Sequence, residues 1–162
     1  MENFELYTLA RVLHVLSVIL WIGGVAMVTT VLIPAIKKLA SKEDQIRTFE
    51  QIEGRFALQA KITTLITGIT GFYMLYELDA WDRYFDYRFW WIHAMTLVWV
   101  IFSLIIYVLE PLVLHKVFKK YANNNPEKTF EIMHRIHWLL LAISLITTAG
   151  AVAGSHGWFL IK

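Results

Sequence analysis

The six histidines are the residues of this chain with the clearest chemical potential, and all of them lie in or at the ends of long apolar segments. None lies in the charged stretch that follows the first of these segments. They are His14, His93, His115, His134, His137 and His156. Neutral imidazole is a ligand of haem iron and of copper. Ionisable groups at membrane depth are costly and usually face a protein interior, so this distribution indicates a cofactor or metal site.

The histidines fall into two layers when each is placed along a helix at about 1.5 Å per residue. Face A denotes the side of the bundle with both termini and the 78–88 loop, and face B denotes the opposite side. Near face A lie His14, His93 and His156, and near face B lie His115, His134 and His137. His93 and His115 share a stripe of one helix. His134 and His137 are i, i+3 neighbours that could chelate one metal ion.

A b-type haem is one group that such layers could hold, because it needs one or two imidazoles from facing helices. Arg11 precedes His14 by three residues and could pair with a haem propionate, as could Arg83 or Arg88. Several glycines would leave room for a flat ring, namely Gly23, Gly24, Gly68 and Gly71. Two alternatives stay open. Membrane glycines also serve helix packing, and interfacial histidines such as His115 and His156 also act as simple anchors.

The elements that position these residues are four apolar runs. Hydrophobic residues make up 57% of the 162-residue chain and charged residues only 17%, whereas soluble domains carry about 25% charged residues. The uncharged runs are 12–34, 62–76, 89–109 and 136–161. A membrane crossing needs roughly 20 apolar residues. We therefore expect an all-α integral membrane four-helix bundle forming one domain, 1–162, with spans at about 7–34, 57–78, 89–118 and 129–159.

The charge distribution predicts the orientation of these spans. Face A carries four arginines and lysines and face B carries eleven. The positive-inside rule then places face B in the cytoplasm and both termini on the outer, periplasmic side of the cytoplasmic membrane. Segment 42–54 has apolar residues at helical spacing and could form an amphipathic helix on the cytoplasmic surface or a solvated linker helix. Gly150 and Gly154 form a small-xxx-small pair, which favours a homodimer.

The first apolar run resembles the opening of a known family. Residues 11–24 read R-V-L-H-V-L-S-V-I-L-W-I-G-G, similar to the R-x-x-H…W-x-G-G opening of the copper-resistance protein D family and of the four-helix bacterial membrane protoporphyrinogen oxidases. The likeness extends over the first three runs. It implies a four-helix bundle with His14 as a haem or metal ligand. Both relatives typically carry a lysine early in the third helix, where this chain reads H-A-M-T from His93. The resemblance then implies that His93 completes bis-histidine ligation with His14.

Four functions remain as hypotheses. The first is a b-type cytochrome with one or two haems, one held by His14 and His93 and another by His137 with His115 or His134. It would pass electrons from quinol or a periplasmic carrier to an acceptor such as an oxygen species or copper. The second is a copper-binding or copper-transport protein using histidines from the set His14, His93, His134, His137 and His156. The third is a protoporphyrinogen oxidase-like enzyme of haem biosynthesis, against which the missing lysine speaks. The fourth is an assembly subunit without cofactors. The composition excludes a nucleic-acid-binding domain, and the absence of cysteine excludes disulfides and thiolate metal sites.

Overall fold

The protein is a bundle of four long helices. The structure, a computed structural model, describes residues 2–39, 41–114, 121 and 125–158, and within these residues it contains helices and turns but no strand. Helix α1 (Glu2–Met27) continues through a π-helical turn, π1 (Val28–Leu32), into the short helix α2 (Ile33–Ile36). Helix α3 covers Lys42–Glu77, α4 covers Trp90–Ser103 and continues as π2 (Leu104–Leu114), and α5 covers Pro126–Ser155. This confirms the all-helical, four-helix prediction.

Three of the four long helices are long and apolar enough to cross a membrane. They are the runs Phe4–Ile36, Tyr87–Leu112 and Pro126–Ser155, which cover the first, third and fourth predicted spans. The chain is thus a membrane protein by helix length and composition. Helix α3 does not meet the same criterion among the described residues, because its first half is charged and Lys61 interrupts its apolar half. Its role as a fourth span stays a prediction.

Helix α3 joins two segments that the sequence presents as separate. Instead of an amphipathic segment at 42–54 followed by a span from 57, one helix runs from Lys42 to Glu77. Ser41 caps its start by accepting a hydrogen bond from the Asp44 N–H at 3.4 Å, and acidic residues in the first turn favour the helix dipole. No proline follows before Glu77, so nothing ends the helix at the change from charged to apolar residues.

The apolar half of α3 buries its threonines by satisfying them within the helix. Thr63, Thr67 and Thr70 donate to the carbonyls four residues earlier at 2.9, 2.8 and 2.6 Å. Each is less than one-tenth exposed, so these three side chains face the bundle interior. Lys61 forms an ion pair with Glu110 of π2, with 2.8 Å between Nζ and Oε2. Both charges are about two-thirds buried, so each neutralises the other in the helix interface.

The four helices form two tightly packed pairs. Helix α1 packs most extensively along α3, and α4 along α5, while α1 with α5 and α3 with α4 make smaller interfaces. Going around the bundle, the order is α1, α3, α4, α5, so α1 and α4 lie diagonally opposite. Their closest described ring contact is between Trp21 and Phe102, whose ring centroids are 4.9 Å apart in an edge-to-face geometry. This pair, with Val25, Val98 and Leu141, forms the middle of the core.

A second apolar cluster closes the face B end. Phe130 and Val28 are completely buried, and Phe49 of α3 meets Phe130 edge-to-face with centroids 5.7 Å apart. Through Phe49, the charged half of α3 packs against the bundle and is not a free linker. Toward face A, the 78–89 loop connects α3 to α4 through two short 3-10 turns, Trp81–Phe85 and Tyr87–Phe89.

Candidate functional site

A cavity of about 730 Å³ lies between the two helix pairs at the face A end. Cofactor and small-molecule sites measure about 300–1,000 Å³. All four long helices and the 78–89 loop contribute to its wall, which is mostly apolar. Its polar members include Arg11, His14, Arg83, Tyr84, Ser144, Thr148, Ser155 and His156. Ser144, Thr148 and Ser155 all lie on α5, and the structure brings them to the cavity.

His14 lies in the cavity wall with its ring held against α3. Its Nδ1 is 3.0 Å from the backbone oxygen of Thr67 and 3.1 Å from Oγ1 of Thr70. A carbonyl oxygen can only accept, so Nδ1 carries the proton and Nε2 keeps its lone pair. Nε2 has no hydrogen-bond partner among the described residues. An imidazole with one nitrogen fixed by a backbone carbonyl and the other free is the arrangement found in metal-binding histidines.

Two glycines of α3 allow this arrangement. A Cβ added to Gly71 would lie 3.2 Å from Cε1 of His14, and one added to Gly68 would lie 2.5 Å from the indole of Trp99. Side chains at these positions would push the rings away from α3 and into the cavity. Gly23, in contrast, has no heavy atom within 4 Å of the added Cβ, and Gly150 and Gly154 accommodate Trp90 and Trp91 of α4. The last pair therefore serves packing inside the bundle.

The opening of the cavity is cationic. Arg11 of α1 and Arg83 of the loop both line it, and its lining contains no aspartate or glutamate. Neither guanidinium forms an ion pair among the described residues. Arg83 lies above the ring of Phe89, 5.2 Å from the centroid. The two arginines thus present positive charge to any anionic group that enters.

Arg88 has a different environment from Arg83. Its side chain donates to both carboxylate oxygens of Asp86 at 2.6–3.1 Å, and its backbone N–H adds a further hydrogen bond at 2.9 Å. These hydrogen bonds lower the pKa of the Asp86 carboxyl. The carboxylate therefore stays ionised at a pH where an ordinary aspartate begins to protonate. Arg88 is committed to Asp86, so of the two loop arginines that the sequence proposed, Arg83 is the one that reaches the cavity.

His156 is the second imidazole of the cavity wall. It caps the end of α5, is exposed, and its Nδ1 is 2.8 Å from the carbonyl oxygen of Val152. By the same reasoning as for His14, Nδ1 donates and Nε2 is unprotonated. His156 lies at the outer opening of the cavity, whereas His14 lies deeper along α1.

His93 does not line the cavity, although the sequence analysis pairs it with His14. Its side chain is exposed, and Nε2 is 2.9 Å from the backbone oxygen of Tyr84. Its ring meets the Tyr84 ring edge-to-face at 5.2 Å. Depth alone places His93 near His14, but its angle around α4 turns it toward the loop. In the structure, His93 holds the 3-10 turn that carries Tyr84.

The two face B histidines that the structure describes, His134 and His137, bind backbone carbonyls. His134 Nε2 is 2.9 Å from the oxygen of Thr29, and His137 Nδ1 is 2.9 Å from the oxygen of Met133 in its own helix. In π1 the N–H of Ile33 donates to Val28, so Thr29 would pair with the nitrogen of residue 34. That residue is proline and has no N–H. His134 supplies the missing donor.

This hydrogen bond also decides the tautomer of His134. Because Nε2 carries the proton donated to Thr29, it cannot accept from the Trp138 indole N–H, which lies 3.0 Å away. His134 and His137 belong to no group of three or more histidine, cysteine or carboxylate side chains able to hold a metal ion, and the described residues contain none. His115 lies outside the described residues.

Sequence reasoning missed two residues of the cavity wall, Trp21 and Met95. Trp21 is only 3% exposed, and its indole N–H has no hydrogen-bond partner among the described residues. A buried unsatisfied donor is costly, and the cost is recovered when water or a ligand atom accepts the bond. The signal that could have found Trp21 is its spacing of seven residues from His14, which places both on one face of α1.

Comparison of the chain with protein-family models, with curated proteins and with solved structures finds no match.

Proposed function

We propose that this protein binds a b-type haem in the face A cavity and acts in electron transfer as a membrane redox protein. The observation that supports this most strongly is His14, which lies in the wall of a cofactor-sized cavity, has its Nδ1 fixed by Thr67, and has no hydrogen-bond partner for Nε2 among the described residues. The residues that line the cavity match the chemistry of haem. Haem is a flat apolar ring with two carboxylates at one edge, and the cavity is apolar inside with two arginines at its opening.

Several residues of the cavity wall have distinct roles in this proposal. His14 supplies the axial nitrogen, and the Thr67 carbonyl holds its ring orientation and raises its basicity. Arg11 and Arg83 bind the propionates. Gly68 and Gly71 keep Trp99 and His14 close to α3, which leaves the centre of the cavity free. The Trp21–Phe102 contact closes the cavity toward face B and excludes water from that side. When bound, the haem supplies one-electron chemistry.

The membrane topology completes the proposal. Helix α3 is the remaining span, with Lys61 neutralised by Glu110. Face B, with eleven of the fifteen arginines and lysines, lies in the cytoplasm, so the cavity opens toward the outer side of the cytoplasmic membrane. Quinol in the bilayer and a carrier outside are the electron partners that this position allows. One haem is proposed, because the described face B histidines bind backbone carbonyls.

The deciding experiment is a reduced-minus-oxidised spectrum of the purified protein, with pyridine haemochrome and copper quantified on the same sample. We expect a b-type α band and close to one haem per chain. His14→Ala should remove the band, whereas His93→Ala, which changes a histidine outside the cavity, should retain it. A colourless protein that carries copper would overturn the proposal, and so would a His14→Ala variant with full haem content.

A further inference from the structure

The contact between Trp21 and Phe102 defines how α1 and α4 are aligned along the bundle. Both residues are at least 95% buried and meet edge-to-face across the diagonal. Helices α1 and α4 both run from face A toward face B. Residues at equal sequence distance from this contact therefore lie at equal depth, provided that both stretches are regular α-helix. They are, since π1 and π2 begin only after these residues.

Seven residues before this contact, α1 carries His14 and α4 carries Met95. Seven residues amount to about 10.5 Å of rise and nearly two full turns, so each side chain keeps the angular position of the aromatic ring below it. Both residues are partly buried and both line the cavity. His14 and Met95 thus lie at the same level on diagonally opposite walls.

No other candidate ligand both lines the cavity and lies at the level of His14 on an opposite wall. His93 precedes Met95 by two residues, which is about 200° around α4, and faces the loop. His156 follows Leu141, a member of the Trp21 cluster, by fifteen residues on the antiparallel helix α5. His14 is only seven residues from that level, so His156 lies about 12 Å closer to face A. Met74 lines the cavity too, but from α3, the helix against which the His14 ring rests.

We propose that Met95 is the second axial ligand of the haem, opposite His14. This rests on the proposed function. The thioether sulfur is a soft ligand on a flexible chain that adapts to the distance across a cavity. Histidine–methionine ligation raises the reduction potential of a haem relative to bis-histidine ligation. The ligand pair also differs from the His14–His93 pair that the sequence implied, and the two make opposite predictions for the potential.

The test compares Met95→Leu and Met95→His with Met74→Leu, which changes the other methionine of the lining. The readouts are the far-red sulfur-to-iron charge-transfer band, the spin state, carbon monoxide binding and the midpoint potential. We expect the ferric wild type to be low-spin and to show the band. Met95→Leu should lose the band, become high-spin and gain carbon monoxide binding in the ferrous state. Met95→His should remain low-spin at a lower potential, and Met74→Leu should match the wild type.

The outcomes separate this inference from the function on which it depends. A wild type without a haem spectrum defeats the proposed function itself. A wild type with full haem content whose spectrum and potential are unchanged by Met95→Leu defeats only the ligand assignment. Loss of the charge-transfer band in Met74→Leu, or loss of low-spin haem in His93→Ala with Met95 intact, would also overturn it.

Discussion

At the face A end of the bundle, His14 faces a cavity with one ring nitrogen fixed and the other free. At the face B end, His134 donates to a backbone carbonyl that Pro34 leaves without a partner, beside a cluster in which Phe130 and Val28 are fully buried. Both histidines lie within apolar helices. The difference is that the first has space and a free lone pair, whereas the second satisfies the backbone. Membrane depth alone does not identify a ligand histidine.

The largest expected effect at face B is on stability. Phe130→Ala removes a fully buried ring that meets Phe49, and we expect it to lower the free energy of unfolding by about 3–5 kcal/mol. The measurement is a denaturant or thermal unfolding curve in detergent. At a temperature where the variant is folded, its haem content should equal that of the wild type. Haem loss from folded Phe130→Ala would show that the two ends are not independent.

A smaller effect is expected from His134→Ala, which removes the donor to Thr29. An unsatisfied buried carbonyl costs about 1–3 kcal/mol. Pro34→Ala supplies a backbone N–H in this turn, so the double variant His134→Ala with Pro34→Ala should recover part of that loss in an unfolding experiment. Trp138→Phe should have little effect, since Nε2 of His134 cannot accept from Trp138 in the assigned tautomer. Additive effects of the His134 and Pro34 substitutions would contradict the proposed pairing.

The smallest expected effect is at the cavity opening. Arg11→Gln and Arg83→Gln should each weaken haem binding about tenfold, which corresponds to roughly 1.4 kcal/mol, without changing stability at face B. The matched control is Arg88→Gln, whose arginine pairs with Asp86 outside the cavity lining. Haem transfer to apomyoglobin measures the difference. Equal haem loss in all three variants would indicate a general charge effect and not propionate binding.

Much of the fold could be predicted from hydropathy, and much less of the site. The apolar runs predicted four helices, and the structure contains four long helices. The continuity of α3 was missed because the change from charged to apolar residues at Gly54–Ala57 is a compositional boundary without a helix-breaking proline. The cavity could not be predicted, since it depends on how the two helix pairs pack on the face A side of Trp21 and Phe102.

The histidine pairs show why depth was an insufficient guide. His14 and His93 lie at similar depth. The angle around α4 shows that Met95, and not His93, faces inward. Identifying the inward face of α4 requires a known contact such as Trp21–Phe102. The role of His134 could not be predicted without knowing the π-helical turn, because in a regular α-helix the Thr29 carbonyl would accept from the N–H of Ile33. The sequence contains Pro34 as a clue, but not the hydrogen-bond shift.

The ion pair between Lys61 and Glu110 has a consequence for biogenesis. In the proposed topology, Lys61 lies near the face B end of the α3 span, where a lysine is costly unless it is paired. Glu110 follows α3 in the chain, so in this proposed topology the stable insertion of α3 depends on the later arrival of π2. Helix α3 would stay at the translocon or the interface until α4 and π2 arrive, and the two helices would then enter the bilayer as one neutral unit.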